Sequence, residues 1–284
     1  MNNILITGGC GFIGSNFLNY MIKKYPKLNF INIDALYYCG KENNITLENI
    51  NALNYKFIKG NIQNKEFIDY ILKTNNIDTI IHFAAQSHVD NSFSNPIQYT
   101  KDNILGTHNL LEAVREYGKI NKFIHISTDE VYGETNNEIK SEKSILNPTN
   151  PYSATKASAE MIVNSYYYSY NLPIIITRGN NVYGPRQYPE KLIPKFIINI
   201  LNNNKCPIHG KGETIRSFLY ISDVIEAFEI ILLKGEVGEI YNIGTDNEYS
   251  VLDITKNLIK LIKNDIEYEK YIEFVEDRKY NDKR

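Results

Sequence analysis

Residues 3–14 read Asn3-Ile4-Leu5-Ile6-Thr7-Gly8-Gly9-Cys10-Gly11-Phe12-Ile13-Gly14 and decide the fold of this 284-residue chain. The first five residues form an apolar run that predicts a buried strand, and an amphipathic helix is predicted from about Ser15 to Tyr25. Between them, glycines at 8, 11 and 14 let the backbone turn tightly, approach a diphosphate closely and pack the helix against the strand. The stretch is therefore typical of a strand-turn-helix unit that binds phosphate groups.

A carboxylate follows the next predicted strand. The apolar run at 30–33 ends at Asp34, about twenty residues after Gly14, where a carboxylate would bind both hydroxyls of an adenosine ribose. The same carboxylate would repel the 2′-phosphate of NADP. An ordinary turn with a solvated Asp34 is the alternative, but it explains the strand-helix-strand pattern less well. The sequence therefore predicts NAD as the cofactor.

Further apolar runs recur with helical segments between them, at 55–59, 79–83, 123–126 and 173–177. Alternating strands and helices with right-handed crossovers predict one doubly wound parallel sheet in an α/β protein. Past Thr177 the chain is rich in turn-forming and polar residues. We therefore predict an NAD-binding domain over 1–177, to which about 217–243 return. A smaller C-terminal substrate-binding lobe is predicted over 178–216 and 244–284.

Composition excludes several classes of protein. The formal net charge is −2 and the pI about 6.2, so no basic field favours nucleic acid or an anionic membrane. No apolar run approaches the roughly 20 residues of a membrane-spanning helix, and a strand predicted at the N-terminus leaves no room for a signal peptide. Three scattered cysteines indicate a reducing compartment, and no histidine pair has metal-ligand spacing with a third donor. We expect a soluble, cytoplasmic protein without a metal.

Polar residues follow the apolar run at 123–126, where the predicted strand ends. They are Ser127, Thr128, Asp129 and Glu130. In an open parallel sheet the ligand crevice lies outside the carboxyl ends of the strands, so these groups would face a bound ligand. An adjacent acid and base beside a nicotinamide suit an elimination reaction.

Tyr152 and Lys156 lie four residues apart on a predicted helix, with Asn150 as its N-cap and Pro151 at its first position. A phenol with a pKa near 10 is a poor base, but a neighbouring ammonium favours the phenolate. A Tyr and a Lys at this spacing also occur by chance in helices, so the functional interpretation of this pair depends on the preceding motifs. We predict that Tyr152 abstracts a proton from a sugar hydroxyl and that Lys156 holds the nicotinamide ribose.

Other candidate binding groups lie after the strand at 79–83 and late in the chain. Small residues at 84 and 85 would let a dinucleotide lie close to the backbone, and Ser87 and His88 can reach a ligand. His88 can equally be a loop residue without a role. The segments 207–210 and 216–220 offer groups suited to a uracil or thymine base and a diphosphate.

The chain resembles the extended short-chain dehydrogenase/reductase superfamily and, within it, the nucleoside-diphosphate-glucose 4,6-dehydratases. The superfamily resemblance rests on the glycine turn, Asp34, and Tyr152 with Lys156. The narrower one rests on Thr128-Asp129-Glu130, on 84–90, on Asn181 with 183–185, and on 189–194. It covers essentially the whole chain and implies a Rossmann-like fold. The Thr-Asp-Glu triplet is its most specific part, because sugar 4-epimerases of the superfamily usually have small residues there.

The resemblance implies a hydro-lyase that converts UDP- or dTDP-D-glucose to the 4-keto-6-deoxy-D-glucose nucleotide and water, in rhamnose-type deoxysugar biosynthesis. Tyr152 would take the C4 hydroxyl proton while hydride leaves C4 for NAD, and Thr128 would polarise the C4 oxygen. Glu130 would then abstract the C5 proton, and Asp129 would protonate the departing C6 hydroxyl. Hydride would return to C6.

The resemblance also implies binding residues and a homodimer. The residues for NAD are Gly8, Gly11, Phe12, Ile13, Gly14, Asp34, Asn61, Ile62, Ala84, Ala85, Tyr152 and Lys156. The residues for the nucleotide sugar are Ser87, His88, Asn181, Glu190, Lys191, Leu192, Arg216, Asn242 and Arg278. Many family members pair two long helices into a four-helix bundle, here those near 96–117 and 151–171.

The sequence departs from the family at two places and leaves alternatives open. Asn61 stands where many members have an aspartate that contacts adenine, and the chain ends inside a motif that members follow with a further segment. Either the chain is truncated or that tail is missing. The stretch 177–185 resembles plant rhamnose synthases more and favours UDP. A 4-epimerase and a non-catalytic nucleotide-binding regulator remain as alternative functions.

Overall fold

The computed structural model describes residues 1–135, 138–277 and 283–284. Its strands are β1 (Asn3–Thr7), β2 (Asn29–Asp34), β3 (Tyr55–Lys59), β4 (Thr79–His82), β5 (Lys122–Thr128), β6 (Ile174–Gly179), β7 (Asn181–Tyr183), β8 (Cys206–His209), β9 (Ile215–Tyr220), β10 (Ile240–Ile243), β11 (Glu248–Ser250) and β12 (Ile272–Val275). Its helices are α1 (Phe12–Lys24), α2 (Leu47–Ile50), α3 (Lys65–Thr74), α4 (Val89–Ser94), α5 (Pro96–Tyr99), α6 (Gly106–Tyr117), α7 (Pro151–Tyr170), α8 (Leu192–Leu201), α9 (Ile221–Lys234) and α10 (Val251–Lys263).

Seven strands form one sheet in the order β10-β6-β5-β4-β1-β2-β3, and each neighbouring pair is parallel. The strand order reverses between β1 and β4, and a ligand crevice forms outside the carboxyl ends at such a switch point. This topology confirms the predicted doubly wound, Rossmann-like α/β fold. β5 is longer than predicted, because Ser127 and Thr128 pair in register with Arg178 and Gly179 of β6.

Apolar side chains cover both faces of the sheet. One hydrophobic cluster includes Leu5, Leu110 and Phe123 together with residues of α3 and α7. The other includes Phe17 of α1 and Phe228 of α9. Parallel strands that are buried on both faces need helices on each side, which explains their nearly continuous apolar sequences.

The smaller lobe has its own sheets and its own hydrophobic cluster. β11, β9 and β7 form a three-stranded sheet, and β12 pairs with β8. The cluster contains Phe196, Ile200, Ile208 and Ile259. The lobe boundaries remain a prediction, which this separate cluster supports. β9 pairs within the smaller sheet, while Leu219 at its end and the residues of α9 pack in the hydrophobic cluster of the main sheet.

Local capping and one irregular turn position the helices beside the crevice. Asn150 Oδ1 accepts the backbone N–H of Ser153 at 2.9 Å, which confirms the predicted N-cap of α7. The predicted helix near 96–117 is present, but Thr100–Leu105 between α5 and α6 is π-helical. Within that segment, Asn103 Nδ2 donates to Thr155 Oγ1 of α7 at 2.9 Å. In the described part of the chain, no helix is long and apolar enough to cross a membrane.

Candidate active site

In the turn between β1 and α1, side chains at the glycine positions would clash with nearby backbone atoms. Gly8 has a φ of +73°, and a Cβ there would lie 2.6 Å from the backbone of Ala84. A Cβ on Gly14 would lie 2.5 Å from the carbonyl oxygen of Gly8. No side chain caps the N-terminus of α1, where Gly11 is the N-cap. The backbone N–H groups at this helix end therefore suit a diphosphate.

Asp34 lies at the end of β2 with its carboxylate fixed by two backbone donors. Cys10 N–H donates to Oδ2 at 2.9 Å, and Leu36 N–H donates to Oδ1 at 2.8 Å. Burial raises the pKa of Asp34, and these two hydrogen bonds oppose the rise. Each oxygen keeps acceptor capacity for a ribose hydroxyl. The position therefore fits the predicted ribose contact.

All twelve residues predicted for NAD line a single cleft at the carboxyl ends of the strands. The cleft runs from the glycine turn past Asp34 to Tyr152 and Lys156. Asn61 also lines it, but Asn61 Nδ2 donates to Tyr37 Oη at 2.9 Å and its Oδ1 accepts the N–H of Gln63. The cleft therefore has the lining that an extended dinucleotide requires. No metal-binding group of His, Cys, Asp or Glu occurs among the described residues.

The two candidate carboxyl groups lie in the turn directly after β5. Thr128 Oγ1 accepts the N–H of Glu130 at 3.3 Å and caps this turn. Asn180 Nδ2 donates to Asp129 Oδ2 at 2.7 Å, and Asn150 Nδ2 donates to Glu130 Oε2 at 3.3 Å. The α7 N-cap and the end of β6 therefore hold one carboxyl group each. These groups lie next to the cleft lining and are not part of it.

Burial shifts both carboxyl groups toward the protonated form. Burial raises the pKa of Asp129, against the hydrogen bond from Asn180 and the charge of Arg216. Burial also raises the pKa of Glu130, and the charge of Asp129 adds to the rise. The charge of one carboxylate therefore makes ionisation of the other less favourable. An acid and a base at adjacent positions can result from this arrangement.

Tyr152 and Lys156 lie on one face of α7, as predicted, but the expected effect of the ammonium on the phenol is absent. Burial and then the charge of Glu130 raise the pKa of Tyr152, while a hydrogen bond with Thr128 opposes the rise. Lys156 Nζ donates to the carbonyl oxygen of Ile126 at 2.7 Å, and burial lowers the pKa of Lys156 to about 8. The pKa of the phenol is therefore raised and not lowered as expected, mainly because Tyr152 is buried, and the charges of Glu130 and Asp129 add to the rise.

Only some of the residues that were predicted to bind the nucleotide sugar lie at the cleft. Ser87, Glu190 and Lys191 line it, and Lys191 Nζ donates to the carbonyl oxygen of Ser87 at 2.8 Å. His88 Nδ1 lies 3.7 Å from Glu190 Oε2. Arg216 lies close enough for its charge to lower the pKa values of Asp129 and Glu130.

The remaining predicted residues lie elsewhere. Asn181 pairs along its backbone with Phe218, Leu192 packs against the lobe cluster, and Asn242 Oδ1 accepts from Tyr132 Oη at 2.8 Å. None of these three lines the cleft. Arg278 falls outside the described residues.

Sequence reasoning overlooked three side chains at this site. Asn180 contacts Asp129, Tyr38 Oη donates to Glu190 Oε1 at 2.8 Å, and Asp102 lines the cleft. Asn180 could have been predicted as a site residue, because it directly follows a predicted strand. Asp102 could not, because its position in the structure depends on the π-helical segment.

The comparison with known families identifies the chain. The family model described as GDP-mannose 4,6 dehydratase matches residues 5–283. The chain belongs to this family. A trifunctional UDP-glucose 4,6-dehydratase, UDP-4-keto-6-deoxy-D-glucose 3,5-epimerase and UDP-4-keto-L-rhamnose reductase from Arabidopsis thaliana is 53% identical over 285 residues. The alignment includes 99% of this chain and 42% of that plant protein, so the chain spans less than half of its length.

Dehydratases that act alone are also similar. The dTDP-D-glucose 4,6-dehydratase of Dictyostelium discoideum is 48% identical over 326 residues, which is 100% of this chain and 75% of that protein. Among solved structures, dTDP-glucose 4,6-dehydratase from Bacillus anthracis in complex with NAD has a TM-score of 0.90 and 42% identity, covering 99% of this chain and 86% of that chain. The structure from Bacillus anthracis therefore has the same fold as this chain.

Proposed function

We propose that the chain catalyses the NAD-dependent conversion of an NDP-glucose to the NDP-4-keto-6-deoxy-D-glucose and water. The observation that carries this proposal is the pair Asp129 and Glu130, held half-buried in a turn near Tyr152 at the end of a dinucleotide-shaped cleft. The names of the dehydratase relatives support it. The similarity to the plant trifunctional protein supports a place in rhamnose-type biosynthesis.

The residues of the cleft fit NAD. The N-terminus of α1, which no side chain caps, offers backbone N–H groups to a diphosphate, and Asp34 keeps acceptor capacity for ribose hydroxyls. Lys156 would contact the nicotinamide ribose. When bound, NAD supplies a hydride acceptor for C4 and a hydride donor for C6. The protein supplies orientation, exclusion of water and the proton transfers.

The proton transfers follow from the positions of three side chains. Tyr152 accepts the proton of the C4 hydroxyl. Thr128 is hydrogen bonded to the C4 oxygen of the sugar. The resulting 4-ketone makes the C5 proton acidic, and Glu130 removes it. Asp129 donates a proton to the C6 hydroxyl, which leaves as water. The raised pKa of Asp129 favours the protonated form that this step requires.

The substrate would be held by Ser87, His88, Glu190, Lys191 and Arg216, and the assembly would be a homodimer. Lys191 and Arg216 supply positive charge for a diphosphate. Arg278, Asn181, Leu192 and Asn242 remain candidates from the family resemblance. Exposed Met161 and Tyr168 on α7 support a dimer through α6 and α7. Free thiols at Cys10, Cys39 and Cys206 support a cytoplasmic location.

The test is incubation of the purified protein with UDP-glucose and, separately, dTDP-glucose, followed by mass spectrometry of the sugar nucleotide. Loss of one water from either substrate is the expected result, with UDP-glucose favoured. Conversion to the galactose isomer without a change in mass would contradict the dehydratase and favour an epimerase. The absence of turnover of both nucleotides would contradict both enzymes and favour a binding role.

Replacement of the candidate ribose ligand tests the cofactor assignment. Asp34→Asn is expected to weaken NAD binding by about 10- to 100-fold, because hydrogen bonds to charged groups contribute about 1.5–3 kcal/mol. The loss of the negative charge should also reduce the preference for NAD over NADP. Isothermal titration with both dinucleotides measures this. Unchanged affinity for both would contradict the assignment, and Asp246→Asn in the lobe serves as the control.

The pH dependence of kcat tests the role of Asp129 as the acid. Asn180 donates to the Asp129 carboxylate and so lowers its pKa. In Asn180→Ala this effect is lost, the pKa of Asp129 rises, and the acid stays protonated to higher pH. We therefore expect the alkaline limb of kcat to move to higher pH. A movement to lower pH would contradict this role, and Asn51→Ala on the surface is the control.

A further inference from the structure

Three elements carry the groups of the proposed reaction. The turn after β5 carries Asp129 and Glu130, α7 carries Tyr152, and the end of β6 carries Asn180. One buried cluster connects these three elements behind the cleft. It consists of Glu160 on α7, Arg178 on β6 and Tyr132 at the end of the turn, and we call it the brace.

The contacts within the brace are short and numerous. Arg178 Nε donates to Glu160 Oε2 at 3.0 Å, and Arg178 Nη2 donates to the same oxygen at 2.6 Å. Arg178 Nη1 donates to Tyr132 Oη at 2.8 Å, and the guanidinium carbon lies 4.9 Å from the centre of the Tyr132 ring. Tyr132 Oη in turn donates to Asn242 Oδ1. The side chains of Arg178 and Glu160 are only 3% and 0% exposed.

Each member of the brace lies close in sequence to a reacting group. Glu160 follows Lys156 by one helical turn and Tyr152 by two turns, on the same face of α7. Tyr132 comes two residues after Glu130, and Arg178 comes two residues before Asn180. Short stretches of backbone therefore connect the brace to Glu130, to Tyr152 and to Asn180, which holds Asp129.

Burial of an ion pair costs desolvation energy, and apolar residues of similar size often stabilise a protein equally well. Stability alone therefore does not explain why the brace contains an ion pair. The brace differs from an apolar contact in its fixed geometry, because the planar guanidinium directs one edge to the carboxylate and one amino group to the phenol. It therefore sets the orientation of the elements as well as their proximity.

We propose that the brace fixes the distance between Tyr152 and the Asp129–Glu130 pair, and so couples the first proton transfer to the elimination. This inference rests on the proposed function. The sugar presents its C4 hydroxyl to Tyr152 and its C5 and C6 atoms to the carboxyl pair, so one binding pose must satisfy both. Arg178, Glu160 and Tyr132 would act as positioning residues, because none of them lines the cleft. A misplacement of about 1 Å at such a site can lower a rate by about 10²-fold.

Tyr132→Phe is the test, because it removes the phenol hydroxyl and keeps the ring. In single-turnover reactions stopped at successive times, mass spectrometry separates the 4-ketohexose nucleotide, which has lost two hydrogen atoms, from the dehydrated product. We expect formation of the ketone at an unchanged rate and dehydration slowed by about 10- to 10²-fold, so that the ketone accumulates together with one equivalent of reduced cofactor. Tyr20→Phe is the matched control, because Tyr20 Oη donates to Glu229 at 2.8 Å on the other face of the sheet.

A second measurement is independent of turnover. Hydrogen exchange of the backbone amides at 129–133 is expected to accelerate in Tyr132→Phe and to stay unchanged in Tyr20→Phe. Equal slowing of both steps, or no change in either, would overturn the positioning role. The unaltered chain is measured in parallel, and its failure to release water from UDP- or dTDP-glucose would overturn the proposed function instead.

Discussion

Glu130→Gln is expected to stop water loss from the sugar nucleotide while leaving the fold intact. Glutamine is nearly isosteric with glutamate and can still accept the hydrogen bond from Asn150, but its amide cannot remove the C5 proton. General base catalysis contributes about 10²- to 10⁴-fold, so kcat for dehydration should fall by that factor. Quantification of the dehydrated nucleotide by mass spectrometry measures the effect.

The same variant distinguishes the base from a structural carboxylate. Oxidation at C4 does not need Glu130, so Tyr152 should still accept the C4 hydroxyl proton and a ketone should form. Glu138→Gln provides the control, because Glu138 is an exposed partner of Lys140. Full dehydratase activity in Glu130→Gln would remove Glu130 from the mechanism.

Arg178→Met is expected to cause a large loss of stability. The substitution leaves the Glu160 carboxylate buried without its partner, and breaking a buried pair from one side costs about 3–5 kcal/mol. Urea unfolding of the variant and the parent measures the free energy of unfolding.

A double variant separates charge burial from packing. Arg178→Met with Glu160→Leu removes both charges, and apolar replacement of a whole buried pair is often neutral or stabilising. We expect this double variant to recover most of the lost stability without recovering coupled turnover. If it unfolds as easily as Arg178→Met alone, the loss comes from packing and not from the unpaired carboxylate.

Much of the fold followed from local patterns in the sequence. The glycine turn, Asp34 and the strand ends depend on residues that are neighbours in the chain, so the sequence already placed them at one edge of the sheet, where they line a single cleft. It was harder to predict which side chain at the end of a strand faces the site. Asn180 and Asn181 are adjacent, yet only the first points its amide at Asp129, because Asn181 already belongs to β7.

Electrostatic relations were the least predictable part of the site. Spacing along α7 correctly placed Tyr152 and Lys156 on one face. It did not reveal that the Lys156 ammonium bonds to the Ile126 carbonyl oxygen, or that Glu130 raises the phenol pKa. These facts depend on burial and on contacts between elements far apart in sequence.

The π-helical segment Thr100–Leu105 also fixes how the following helix is rotated about its own axis. Successive side chains of an α-helix point about 100° apart, so the removal of one residue here would act mainly as a rotation of Gly106–Tyr117 by that angle. Leu110 and Leu111, now fully buried, would turn away from the sheet. The number of residues in this segment thus determines how α6 is rotated about its axis. Only a compensating insertion nearby would restore the original rotation.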